Sequence, residues 1–359
     1  MKTKFILFVA LITSIATFSQ KKWTLKECVD QALEKNISIQ QNKLNVLLAE
    51  KDVAIAKGNF LPNLSLSNSH SGSFGLSSGV SGVNTSQDRY STSFSLGTSG
   101  VIFNGFWNTN TYKQAQLGIE TSKLDLQKIE NDISLFVVNG YLNILFAKEN
   151  LEVAKVQAEI SKKQIKAAKD RFDAGVIAKG DVLNTQSTAA TDLQNVITQE
   201  NALDIALLNL AQLLQIKAEN FDVASIEVGS PSSELLYKNS SSVYKNSLER
   251  MPEIARAKLA IDNADLGIKL AKGSFLPSLT YSAGAGTSYY TIFGQPDVRG
   301  VFDPATGNLI GQESFGFFKQ LDEQLSYSVG LSLNIPIFNR FQTKNNVAKS
   351  KISKEISET

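Results

Sequence analysis

His70 is the only histidine and Cys28 the only cysteine in 359 residues. One imidazole cannot build a multi-histidine metal site, and one thiol cannot close an internal disulfide. His70 stands in Ser67-Asn-Ser-His-Ser71 with no matched nucleophile and acid beside it, so it reads as a solvated residue at a strand end. Cys28 falls on an amphipathic helical stretch, where burial is the better reading, and no small-residue lipidation signal directly precedes it. Two methionines add little toward a copper site. An enzyme is therefore the weakest reading, and nothing in the sequence asks for a cofactor or a bound metal. Lys and Arg number 36 against 34 Asp and Glu, without a basic run. That balance argues against a nucleic-acid partner, which needs a basic face to displace phosphate counterions.

With catalysis set aside, the elements themselves become informative. Met1-Lys-Thr-Lys4 followed by the apolar run Phe5 to Ala16 reads as a secretory signal peptide over residues 1–19, cleaved near Ser19-Gln20. Its removal takes away Lys2 and Lys4, leaving 34 basic against 34 acidic residues. No later stretch offers eighteen consecutive apolar residues, which excludes a helical membrane span and leaves a β-barrel open.

The chain is written twice. Lys57-Gly-Asn-Phe-Leu-Pro-Asn-Leu64 returns as Lys272-Gly-Ser-Phe-Leu-Pro-Ser-Leu279, 215 positions on, with six of eight residues identical. Ile102-Phe-Asn-Gly-Phe106 returns as Ile337-Phe-Asn-Arg-Phe341, 235 positions on. Residues 20–240 form a first structural repeat and 241–359 a second, incomplete one. Each reads as short helix, helix, strand, long loop, strand, long helix. Thr24 with Glu27 predicts a capping box, and Asn36 ends or bends that first helix.

In the strands the period falls to two. Tyr90, Thr92, Phe94 and Leu96 alternate with serines and Gly97, and Leu325, Tyr327, Val329, Leu331 and Leu333 alternate with Ser326, Ser328, Gly330, Ser332 and Asn334. Tyr281 belongs to a weaker alternating run from Leu279. The second and fourth strands, read as Tyr90 to Phe103 and Leu325 to Ile337, exceed the ~5–6 residues of an ordinary soluble strand and suit a tilted membrane-spanning one. Tyr90, Phe94, Leu96, Tyr281, Tyr327, Val329 and Leu331 are the expected lipid-facing residues. The loops at 72–89 and 286–324 are expected to be long and solvated, the second carrying a net charge of −3 over residues 291–324. Four strands cannot close a barrel, and each unpaired edge group in hydrocarbon costs several kcal/mol, roughly. Other chains must complete the sheet.

After Gly105 the pattern is helical to about Phe172, then again from about Gly180 to Gln215; some 68 residues of helix reach ~100 Å. Val137, Ile144, Leu151, Ala158, Ile165 and Phe172 fall seven apart, as do Val182, Ala189, Val196, Leu203 and Leu210. The two series mirror each other about Ile177, which predicts an antiparallel coiled-coil hairpin with level seams. Gly175 is expected to end the first helix and Asp181 to cap the second. Ile216 to Tyr244 is expected to be irregular.

The Trp23-Thr-Leu-Lys-Glu-Cys-Val-Asp-Gln-Ala-Leu33 opening with Asn36, both Phe-Leu-Pro segments, both Ile-Phe-Asn segments and the Arg171-Phe172…Gly175…Asp181-Val-Leu183 turn together resemble the TolC family of outer-membrane efflux proteins. The resemblance covers the mature chain and implies an α+β membrane protein. In it, duplicated helix-strand-strand-helix repeats supply long coiled-coil α-hairpins and four transmembrane strands per protomer to a trimeric twelve-stranded barrel and a periplasmic α-barrel. It implies a homotrimer in the outer membrane of a Gram-negative cell, extending into the periplasm. There it would be a passive exit duct for a tripartite efflux pump or type I secretion system. The implied partners are other copies of itself, a periplasmic adaptor, an inner-membrane pump of RND or ABC type, and outer-membrane lipid. The tip motif carries over to Arg171, Phe172, Gly175, Val176, Asp181, Val182 and Leu183 as the adaptor-docking residues. Only 18 residues follow Phe341, whereas the first repeat continues for 109 past Phe106, so the chain reads as a fragment lacking its second hairpin. A periplasmic adaptor with one helical hairpin and a secreted coiled-coil adhesin are the alternatives.

Overall fold

A computed structural model describes residues 22–78, 84–86, 88–226 and 239–359. The signal segment, part of the first strand-to-strand loop and residues 227–238 of the stretch expected to be irregular lie outside the described residues. The chain divides into two compact units, one of residues 1–48 and 120–256, the other of residues 49–119 and 257–359. Each unit draws on both sequence repeats.

The first unit is helical, apart from the two-residue strands β1 (Lys22–Trp23) and β6 (Asp222–Val223), which pair in parallel. Helix α1 (Leu25–Lys35) starts at the expected capping box, with the Thr24 amide donating to Glu27 Oε2 at 2.9 Å and the Glu27 amide donating to Thr24 Oγ1 at 3.3 Å. Asn36 ends it and starts α2 (Ile37–Gly58), accepting from the Ser38 amide through Oδ1 at 2.9 Å and donating through Nδ2 to the Leu213 carbonyl at 3.1 Å. The core joins Cys28, Ala32 and Ile39 to Ile133, Val137, Tyr141 and Ile144 of α3 (Trp107–Asp173) and to Leu210 and Leu214 near the end of α4 (Lys179–Leu213). Tyr141 is wholly buried, and its hydroxyl lies 2.7 Å from the Ala224 carbonyl and 3.1 Å from that of Trp23, tying the ends of both short strands to α3. Beside it Lys148 donates to the Val223 carbonyl at 2.9 Å and pairs with Asp222 at 2.5 Å. Burial pushes the Cys28 thiol up to about 11, leaving an inert core residue.

The predicted seam is buried or half-buried at every position except its end at Phe172, which is exposed. Ser161 donates to Asp192, and Lys155 reaches Glu200 at 3.8 Å, each pair within one position of symmetry about the axis expected at Ile177. The irregular stretch ends earlier than expected, because the Asn239 side chain accepts from the Ser242 amide at 2.8 Å and so starts α5 (Ser240–Arg250).

The second unit is built on the strands β2 (Asn63–Ser73), β5 (Arg89–Asn104), β7 (Ser278–Ile292) and β10 (Ser326–Asn334), which form one antiparallel sheet in the order β10-β7-β5-β2. Among the described residues, the two outer strands, β2 and β10, each have one unpaired edge. The fourth strand stops at Asn334 rather than the expected Ile337, since Pro336 has no amide to donate. The repeat persists in the turns below the sheet: Gly105 and Phe106 are left-handed at φ 64 and 63, and so are their counterparts Arg340 and Phe341 at φ 56 and 61. Gly105 also meets Gly273 backbone to backbone, and a Cβ at Gly105 would lie 2.2 Å from the Gly273 carbonyl oxygen. The second repeat's helices here are α6 (Pro252–Gly273), with proline at its first position, and α8 (Gln342–Glu358).

The region 286–324 departs most from expectation. β7 continues to Ile292, a hairpin of β8 (Val298–Phe302) and β9 (Leu309–Ser314) follows, and a short helix, α7 (Phe317–Glu323), leads into β10. In the first strand-to-strand loop, β3 (Leu76–Ser78) pairs with β4 (Asn84–Ser86).

Candidate functional site

The register of the sheet decides which side chains share a face. Leu66 lies opposite Leu96, Leu96 opposite Ala285 and Ala285 opposite Tyr327. Cross-strand partners point the same way and neighbours two along repeat the direction. The seven residues Tyr90, Phe94, Leu96, Tyr281, Tyr327, Val329 and Leu331 therefore all stand on one face. Tyr327, Val329 and Leu331 are 77%, 87% and 71% exposed within the chain. His70 shares this face. His70 is exposed, as the sequence reading of a solvated histidine expects; its Nδ1 also lies 2.7 Å from the Tyr90 hydroxyl, and the two rings stack.

The opposite face is small and hydroxylated. Ser67 meets Ser95, Ser69 meets Ser93 and Ser71 meets Ser91, each Oγ pair at 2.7 Å. A shallow concavity on this side is lined by Ser65, Ser95, Ser282, Gly284, Gly286 and Ser328, among others. The four strands carry a single ionised residue, Arg89, which begins β5 at the rim of the sheet. Among the described residues, no helix is long and apolar enough to cross a membrane.

Above β10 the edge of β7 is covered by α7. Gln320, 3% exposed, stands in for a strand: its Oε1 accepts from the Tyr290 amide at 3.0 Å, and its Nε2 donates to the Tyr290 carbonyl at 3.0 Å and the Phe315 carbonyl at 2.8 Å. Arg299 pairs with Glu313 and Glu323, and Lys319 pairs with Glu313 at 2.7 Å, locking the hairpin to the helix. The Lys319 ammonium and the Arg299 guanidinium hold Glu313 below the usual carboxylate range. No sequence pattern marked Gln320, because its partners lie 5 and 30 residues away.

At the hairpin tip the Gly175 amide donates to the Phe172 carbonyl at 2.8 Å and the Val176 amide to the Arg171 carbonyl at 2.9 Å, with Gly175 at φ 74. These two bonds define a Schellman ending, which only a residue tolerant of left-handed backbone completes without strain. Asp181 caps the next helix from its third position: its carboxylate accepts from the Ala178 amide at 3.2 Å, so it is not the first capping residue that its place in the sequence suggested. Phe172, Val176 and Leu183 are exposed, as are Arg171 and Asp181, whereas Val182 is buried. The tip motif is thus divided between a turn-forming set, a seam residue and an exposed apolar set.

The family described as outer membrane efflux protein matches residues 28–214 and 243–359, which is most of the chain. The chain belongs to that family. The curated relatives include the outer membrane efflux protein BepC of Brucella suis, 22% identical over 343 residues, and the outer membrane protein TolC of Escherichia coli, 26% identical over 339 residues. These alignments take in 95% and 93% of the chain but 66% and 63% of the relatives, so the chain spans just under two thirds of their length. Among solved structures, CusC superposes with a TM-score of 0.72 at 17% identity, covering 95% of this chain and 74% of the other. The CmeC outer membrane channel of Campylobacter jejuni gives 0.71 at 19% identity, covering 93% and 66%. The fold of this family member is that of these outer-membrane proteins.

Proposed function

We propose that this family member is the outer-membrane exit duct of a tripartite efflux pump or a type I secretion system, a passive conduit and not an enzyme. The observation that carries this reading is the sheet: one face apolar and exposed, the other uncharged and hydroxylated, with an unpaired edge on each outer strand among the described residues. Hydrocarbon satisfies the first face and water the second, while the edges require further strands. In this reading three copies contribute four strands each to one barrel, and the helical hairpins continue the duct into the periplasm. The exposed tip set of Phe172, Val176 and Leu183, framed by Arg171 and Asp181, meets a periplasmic adaptor that couples the duct to an inner-membrane pump of RND or ABC type. Gly175 and Val182 hold that surface in shape.

Conductance of the purified full-length protein in a planar bilayer tests the duct, with stable channel openings as the expected result. Val176→Asp with Leu183→Asp tests the tip. Adaptor co-purification is expected to be lost while conductance persists. A chain that remains soluble and monomeric without detergent ends the reading.

A further inference from the structure

We propose that the internal duplication fixes the register in which copies of this chain join, β10 of one copy pairing antiparallel with β2 of the next so that Ser332 stands opposite Ser69 and Leu331 opposite His70. The inference rests on the reading that copies share one barrel and goes beyond it by specifying the seam.

The two repeat offsets relate strands as well as sequence. The 215-position offset takes β2 to β7, and the 235-position offset takes β5 to β10. Applied to the first hairpin, they convert Leu64 opposite Thr98 into Leu279 opposite Leu333, and Leu66 opposite Leu96 into Tyr281 opposite Leu331. Both pairs occur, and the offsets reproduce all the residue pairs of the second hairpin from the first. The duplication therefore preserves strand register.

The junction between repeats is β5 against β7. In a ring of copies, the next junction of the same kind sets β10, the equivalent of β5, against β2 of the following copy, the equivalent of β7. Carrying Gly97 opposite Gly284 forward by 235 and back by 215 gives Ser332 opposite Ser69. Leu96 opposite Ala285 gives Leu331 opposite His70.

The chemistry of the carried pairs is self-consistent. Leu331 and His70 meet on the apolar face, where both are exposed within the chain. Ser328 and Ser332 meet Ser73 and Ser69 on the hydroxyl face. A slip of one residue would set hydroxyl against aromatic along the whole seam. The match also accounts for α7, which occupies the β7 edge only above Gly286, where β10 begins at Ser326. Phe318 lies two residues from Gln320, about 200° round the helix, and is exposed on the side away from β7.

Disulfide trapping reads the register directly. The Tyr290 amide and carbonyl turn away from β5 to Gln320, so the Gly97–Gly284 pair, of the same parity, is a non-hydrogen-bonded pair whose side-chain positions approach closely. The pair of residues 332 and 69 inherits that geometry, within disulfide reach, whereas partners two positions off lie at about 7–8 Å. The full-length protein in outer-membrane vesicles carries Ser332→Cys with Ser69→Cys, Ser67→Cys or Ser71→Cys and is oxidised with copper phenanthroline. Buried Cys28 supplies no competing thiol. Reducible dimers and trimers are expected from the Ser69 pair, at about ten times the yield of either neighbour, with conductance of each reduced variant showing that it folds. A dominant product from the Ser67 or Ser71 pair, or no product from any pair in a protein that sizes as a trimer, overturns the register alone. Variants that conduct yet size as monomers overturn the shared barrel and the register with it.

Discussion

Gln320→Leu should unfasten the cap over β7 while leaving the sheet in place. Leucine keeps the bulk of the side chain and removes every polar contact. The Tyr290 amide and carbonyl and the Phe315 carbonyl then lose partners that now lie at 3.0, 3.0 and 2.8 Å. A buried polar group left without a partner costs about 1–3 kcal/mol. Tyr290 lies near the end of β7, where water enters once the helix lifts, so we expect roughly 3 kcal/mol for the three together, near the low end of their sum. That corresponds to on the order of a hundredfold rise in the open population of α7. Hydrogen exchange of the full-length protein in detergent measures it, through the amides of Tyr290 and of Gln320 to Glu323. Amides of β5 opposite β7 serve as the internal reference, since their bonds do not involve the cap. Gln320→Glu should open the cap at least as far, because a buried carboxylate donates nothing to the Tyr290 and Phe315 carbonyls and repels them. Exchange at Tyr290 unchanged within about threefold in the leucine variant would refute the claim that one side chain substitutes for a strand here.

Gly105→Ala should cost more than about 3 kcal/mol, because its Cβ would sit 2.2 Å from the Gly273 oxygen in a left-handed backbone, whereas Gly118→Ala meets nothing within 4 Å and should leave the melting temperature unchanged or raised. The ion-paired cap should loosen in acid. Glu313 is held below its ordinary pKa, so its contribution is complete above the usual carboxylate value of about 4.3 and is lost as pH falls through the depressed one, which protease nicking between residues 298 and 314 at pH 3 against pH 6 would register. Asp192→Ala alone should destabilise the hairpin by about 1–2 kcal/mol by stranding the buried Ser161 hydroxyl, while Asp192→Leu with Ser161→Ala should restore or exceed the starting stability, as followed by thermal circular dichroism; the same sign for both variants would contradict this.

Features that repeat within a few residues were legible in the sequence. The heptads placed the hairpin seam so closely that the Ser161–Asp192 contact falls within one position of symmetry about the axis drawn at Ile177. The period of two put Tyr90, Phe94, Leu96, Tyr281, Tyr327, Val329 and Leu331 on one face, because parity is preserved through an antiparallel register once a single pair is fixed. What escaped depended on distant partners or on single positions. The β8–β9 hairpin and α7 are held by Arg299, Lys319 and Gln320, none of which stands in a periodic pattern. Asp181 looked like a first capping residue because its type suits that position equally well, and only the Ala178 amide reveals that it acts from one turn further in.

The duplication changes what an isolated chain can say about an assembly. A sheet with two unpaired edges ordinarily leaves the joining register open, since any even shift preserves the separation of faces. Here the proposed junction between copies has a counterpart within the chain, between β5 and β7, and the hairpins flanking that counterpart obey the same two offsets. Left-handed Arg340 and Phe341, where the first repeat has Gly105 and Phe106, show how far the equivalence extends: the second copy keeps the backbone even where its side chain makes that conformation unfavourable by about 1 kcal/mol. In a closed ring, both turns below the sheet must deliver their strands at the same height, because the edge of each repeat has to meet the beginning of the next.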